Sequence, residues 1–152
     1  MNQKIEVEIP GQYHAFLDKH FLAMLTTIRA DGMLSTNPIG YVWDGRRIRV
    51  STLKSRMKCK NILLDDRICF CLQSPTNHMD YLEVRGHATV EDDPDRSFFR
   101  EQFMRGMGGE EPPAVLDPPE AERVIILIHP QQVSAPKIYG DRFDDLSQRG
   151  KT

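Results

Sequence analysis

The sequence has little cysteine. Three thiols, Cys59, Cys69 and Cys71, stand among 152 residues, and no two form a CxxC pair. An odd set at that spacing excludes a disulfide framework and supplies no thiolate metal site. On a strand Cys69 and Cys71 share a face, and the three are read as reduced thiols buried like small hydrophobes. Long apolar runs are missing as well. None reaches the roughly 18 residues that a membrane-spanning helix requires. The opening "MNQKIEVEIPGQ" has no apolar signal core, so the chain is expected in the cytoplasm. Positive charge is not in excess: a net charge of −2 argues against a dedicated nucleic-acid binder. No aromatic residue lies between Trp43 and Phe70, which removes a base-stacking platform from that stretch. The five histidines, His14, His20, His78, His87 and His129, are too scattered for a metal set. Neither a Ser-His-Asp nor a Cys-His constellation is present.

What is there suits one soluble domain. At 39% hydrophobic and 28% charged residues, the composition is that of an ordinary globular protein. The expected domain covers residues 1–140, and the polar stretch 141–152 is expected to fray. "GQYHAFLDKH" has helical spacing of Tyr13, Phe16 and Leu17. "FLAMLTTIRA" reads as a strand, Asp31–Gly32 as a hairpin turn, and "MLSTNPIGYVW" as the return strand. A second Asp-Gly, Asp44–Gly45, leads into "RRIRVST", which completes a three-stranded meander. Ser55 is placed to cap a helix over "RMKCKNILLDD" whose inward face is Cys59, Ile62 and Leu63. "RICFCLQS" and "YLEVRGHATVED" are strands, with Gly86 marking a bend or bulge in the second. A helix opens at the Asp-Pro of "DPDRSFFREQFMRGM" and packs through Phe98, Phe99 and Phe103. Residues 106–119 read as an irregular loop. "ERVIILIHP" is a buried strand and "QQVSAPKIYG" a short last one. The fold class is mainly β with inserted helices. Six antiparallel strands in meandering order form a small barrel, which leaves no open edge.

Charge is concentrated at one place. Residues 46–60 hold Arg46, Arg47, Arg49, Lys54, Arg56, Lys58 and Lys60 and no acid. Ser51 and Thr52 end a strand there, and Arg56 and Lys58 fall in the first turn of the next helix. Backbone N–H groups at a helix start are unsatisfied and the dipole favours an anion. With two hydroxyls, a guanidinium and an ammonium added, the stretch suits a phosphate. Lys60, further along the helix, points toward solvent. A solvated basic helix face is the other account of the same residues.

The segments "FLAMLTTIRADG", "VSTLKSRMKCKNILLDD" and "YLEVRGHATV" resemble the pyridoxamine 5′-phosphate oxidase-like split β-barrel family. The branch most similar is that of the F420-dependent oxidoreductases, the flavin/deazaflavin oxidoreductases of subgroup B. The specific element is ST-x-x-x-R-x-K-x-x-N, carried by Ser51, Thr52, Arg56, Lys58 and Asn61. The resemblance implies a homodimer with cofactor sites at the interface and a cofactor phosphate that meets Ser51, Thr52, Arg56 and Lys58, with Lys54 and Asn61 among the other cofactor-binding residues. It implies a ring lying against "LSTNPIG", near Ser35, Asn37 and Pro38. The loop 75–81 and the segment Val133–Lys137 would close the site, from the partner subunit. His78 or Tyr81 would protonate the substrate, and Tyr41 is open between core and site. The implied activity is F420H2-dependent reduction of an unsaturated small molecule. An FMN-binding oxidoreductase of the same fold, or a non-enzymatic carrier of cofactor or haem-like ligands, remain as alternatives. The C-terminal Arg/Trp-rich signature of pyridoxamine 5′-phosphate oxidase itself is lacking, and the one tryptophan is Trp43. Basic residues beyond one phosphate's need, Lys54 and Lys60 with Arg46, Arg47 and Arg49, suit the acidic tail of F420.

Overall fold

The computed structural model describes residues 5–135. The expected C-terminal tail and Lys137 lie outside the described residues. A 3-10 turn, Gly11–Tyr13, runs into α1, His14–Lys19. Strands β1 (Leu22–Ile28), β2 (Leu34–Gly40), β3 (Val42–Trp43) and β4 (Ile48–Leu53) follow. Next come α2 (Met57–Leu64), β5 (Arg67–Gln73), β6 (Tyr81–Asp92), α3 (Ser97–Gly106) and β7 (Arg123–Ser134). All strands pair antiparallel, in the order β2-β1-β5-β6-β7-β4-β3.

The two ends of that order, β2 and β3, are separated in sequence by Tyr41 alone. One extended run therefore bends from one sheet edge to the other and curls the sheet into a barrel. Tyr41 fixes the bend. Its N–H donates to the Phe21 carbonyl at 3.0 Å and its hydroxyl to the Leu17 carbonyl at 2.7 Å. The ring packs edge-on to Phe70 in the core. Tyr41 is thus a core residue, and the burial of its phenol pushes the pKa up. The expected meander is two hairpins, β1–β2 and β3–β4, and no ladder joins β2 to β4. Along that seam the barrel is split, and the Ser51 N–H donates to Gln102 Oε1 of α3 at 2.8 Å.

The sheet has seven strands, one more than expected, and the chain is also divided among them differently. The return strand divides at Tyr41, while the last two expected strands merge into β7. A bulge makes the merger possible. Arg85 pairs with Gln132 and Gly86 with Pro130, so Gln131 is left over. A Cβ on Gly86 would lie 2.1 Å from the His129 carbonyl oxygen, which only glycine avoids.

Four local expectations need correction. Arg56, not Ser55, caps α2, with extended backbone and no side-chain cap. The Arg56 N–H closes a turn on the Leu53 carbonyl, which places Ser55 inside that turn. The inward face of α2 is Cys59, Asn61 and Ile62, while Leu63 is 65% exposed. At 100° per residue that face centres on Ile62, and Leu63 falls outside it. Helix α3 starts at Ser97, beyond the Asp-Pro. Asp93 turns the chain and its carboxylate accepts the N–H groups of Phe98 and Phe99, at 3.3 and 2.9 Å. Cys69 and Cys71 do share a face, but it is the outer face of β5, opposite buried Ile68, Phe70 and Leu72.

Candidate functional site

The end of β4, the turn into α2 and the middle of β2 meet around a cavity of about 810 Å³. Ser51, Thr52, Arg56, Lys58 and Pro38 line it together. Ser51 ends up here because β4 carries it past the last β3 pairing to the seam. Its Oγ is buried without a hydrogen-bond partner. Lys58 stands in the first turn of α2, half-buried beside Arg56, and burial first and the Arg56 charge second lower its pKa. Two like charges and an orphan hydroxyl share one space. An anion would relieve both, so these residues fit a ligand phosphate.

A second groove, of about 500 Å³, adjoins the first and shares Pro38 with it. Leu22, Met24 and Cys71 form its apolar floor, and His78, Tyr81 and Gln73 its polar side. Gln73 Nε2 donates to the His78 carbonyl at 3.0 Å and holds the 74–80 turn over the groove. Desolvation pushes the Cys71 thiol up, and Glu83 adds to it; the neighbouring Cys69 thiol is pushed to about 11 for the same leading cause. Neither is a ready nucleophile.

Not every residue named from sequence arrives here. Pro38 faces outward from β2, so Ser35 and Asn37, three and one positions away, point to the other face. That face carries Leu25 and Thr27, their register partners, both buried. Asn61 is 2% exposed and donates from Nδ2 to Thr27 Oγ1 at 3.0 Å, away from the cavity. Lys54 stands outside the lining with Nζ 3.6 Å from Glu122. Lys60 is exposed. Arg49 lies over the Phe98 ring at 4.6 Å and beside Asp44, a structural placement. Val133 packs against the core, while Ala135 reaches a small groove with Tyr13, Phe16 and Tyr81.

Sequence reasoning missed one whole wall. Leu116, Asp117 and Pro118 line the anion cavity, with Arg123 at the start of β7. They come from the Gly/Pro loop that carries no periodicity. Gln102 was missed too; helical spacing alone does not reveal that its amide replaces a strand at the seam. The histidines other than His78 and His20 are engaged structurally. His87 Nδ1 lies 2.6 Å from Asp66, His129 contacts Thr89 and Glu6, and His14 bonds the Ile9 carbonyl. Among the described residues no cluster suits a metal ion, and no helix is long and apolar enough to cross a membrane.

Residues 9–136 match the sequence profile of the family described as pyridoxamine 5′-phosphate oxidase. The chain belongs to the pyridoxamine 5′-phosphate oxidase family. The matched stretch contains every residue of both cavities. Among solved structures, an F420 reductase is 31% identical, with TM-score 0.71, over 83% of this chain and 98% of its own. General stress protein 26 of Bacillus anthracis is 20% identical, with TM-score 0.61, over 82% and 91% of the two chains. A haem-binding protein of Mycobacterium smegmatis is 13% identical, with TM-score 0.59, over 88% of this chain and 57% of that one. The last two show the fold alone. No curated protein matches the chain. The family's curled antiparallel sheet is the seven-stranded barrel described above, with three α-helices.

Proposed function

We propose that the protein is an F420H2-dependent oxidoreductase that reduces an unsaturated small molecule. One observation carries the reading. The cavity of Ser51, Arg56 and Lys58 opens past Pro38 onto a groove that holds His78 and Tyr81. An anchor for a phosphate and a place for a ring and substrate are thereby adjacent. The 31% identity to an F420 reductase supports the deazaflavin choice. FMN presents a phosphate to the same anchor and is the second reading, because one phosphate is all that Arg56 and Lys58 require.

Reduced deazaflavin, when bound, supplies the hydride. The chain's own residues hold and orient. Arg56 and Lys58 neutralise the phosphate, with Ser51 Oγ and Thr52 as hydroxyl donors. Pro38 forms the wall shared by the two spaces. His78 or Tyr81 hands a proton to the reduced substrate from the groove side. Leu22 and Met24 are exposed on the groove floor, and Met57, Leu63 and Leu64 on α2. A second copy of the chain that covered this apolar surface would exclude water from the groove. The protein would act as a cytoplasmic homodimer.

The test is spectroscopic. F420H2 is mixed with protein and a set of enone and quinone acceptors, and its oxidation is followed by absorbance. Oxidation that requires both protein and acceptor, and that slows in Arg56→Ala, is expected. Protein that turns over acceptors with reduced FMN and never with F420H2 would establish the flavin reading.

A further inference from the structure

The anion cavity holds a third cationic side chain, and the chain has already paired it. Arg123 lines the cavity beside Asp117, which grips it bidentately. Arg123 Nε donates to Asp117 Oδ2 and its Nη2 to Oδ1, each at 2.7 Å. Arg96 Nη1 stands 3.7 Å from the same carboxylate. The Asp117 side chain is only 5% exposed. Arg123 cannot turn away readily, because its guanidinium also lies 3.7 Å over the Phe99 ring. The Asp117 loop is braced from both sides: Arg96 donates to the Ala121 carbonyl, and Arg100 forms an ion pair with Glu111.

The charge balance decides what such a cavity accepts. Arg56 and Lys58 stand side by side with no acidic partner among the described residues, and they repel each other. Arg123, on the same lining, is already cancelled by the Asp117 carboxylate. The hydrogen bond from Arg123 holds the Asp117 pKa down, so the carboxylate stays ionised at neutral pH. The cavity is larger than one phosphate needs, so size does not limit the charge it holds.

We propose that Asp117 is a specificity-determining residue: by occupying the Arg123 fork it restricts the cavity to ligands with a single phosphate there and turns away a second adjacent anionic group. A nucleotide-type monophosphate or a phosphodiester then fits, and a diphosphate does not. The acidic extension of a diester is directed outward, past Arg56 toward the exposed lysines. The inference rests on the phosphate reading of Arg56 and Lys58 given above.

Titration calorimetry with inorganic phosphate and pyrophosphate, on the full chain, tests it. In the wild-type protein pyrophosphate gains nothing over phosphate. In Asp117→Asn the freed Arg123 favours pyrophosphate by about tenfold or more, the least that one added charge-assisted bond brings. The double variant D117N/R123Q removes both charges of the buried pair and leaves only the partly exposed Arg96 without the carboxylate, so it folds even where D117N does not, and it still binds phosphate with no preference for pyrophosphate. A wild-type preference for pyrophosphate, an unchanged ratio in D117N, or a double variant that loses phosphate binding would each overturn the proposal. The underlying phosphate reading fails separately, if the double variant R56A/K58A binds phosphate as well as the wild type.

Discussion

Arg56 and Lys58 carry the account at the scale of single residues. Removing either guanidinium or ammonium weakens binding of a phosphate-bearing cofactor. The expected losses are about 1.5 kcal/mol at exposed Arg56 and about 3 kcal/mol at half-buried Lys58, the range for charge-assisted bonds. Calorimetry measures them, and far-UV circular dichroism stays unchanged. The lowered Lys58 pKa adds a pH dependence. Only the protonated amine attracts the phosphate, so affinity falls as pH rises, and it falls earlier than an ordinary lysine would allow. In Arg56→Ala one lowering cause is gone, and the fall moves to higher pH. Asn61 makes the opposite case. Its place in the S-T…N spacing put it with the phosphate residues, but its side chain turns inward to Thr27. Asn61→Ala leaves a buried hydroxyl without its donor and costs about 1–3 kcal/mol of stability. Urea unfolding reads that cost, while cofactor affinity stays at the wild-type value.

At the scale of elements, the strand periods and turn residues were legible. Both Asp-Gly turns form with glycine at positive φ, +86° at Gly32 and +91° at Gly45. Gly86 was legible as a bulge, and its cause is the His129 carbonyl against its α-carbon. Gly86→Ala forces β6 and β7 apart and costs about 3 kcal/mol, the upper part of the overpacking range. A shift of the urea midpoint to lower concentration at constant slope is the expected result. The site was legible in part. Strand alternation places Pro38 in the cavity, and the same alternation takes Ser35 and Asn37 out of it. The Ser55 cap failed because a turn closing on Leu53 competes for that serine, and a cap rule does not see the turn. The Asp117 wall was not legible at all. It is held by Arg96, just before α3, and by Arg123 of β7, and no local pattern encodes such a pairing.

At the scale of the whole molecule, the two adjoining cavities that share Pro38 are bordered by apolar side chains that a monomer would leave wet. Leu22 is 60% and Leu64 73% exposed. Light scattering at micromolar concentration is expected to report a dimer, and Leu22→Lys with Met24→Lys to shift it to monomer. A wild-type monomer would remove the partner's role in closing the groove. The central claim is that the basic anchor serves F420, whose acidic tail reaches the exposed Lys54 and Lys60. Such contacts are screened, since the Debye length falls to about 3 Å at 1 M salt. The most direct measurement is a pair of fluorescence titrations, with F420 and with FMN, each at low and at high salt. The account predicts tighter F420 binding at low salt and a gap that narrows as salt rises. Equal affinities at low salt, or tighter FMN binding at every salt concentration, would contradict it.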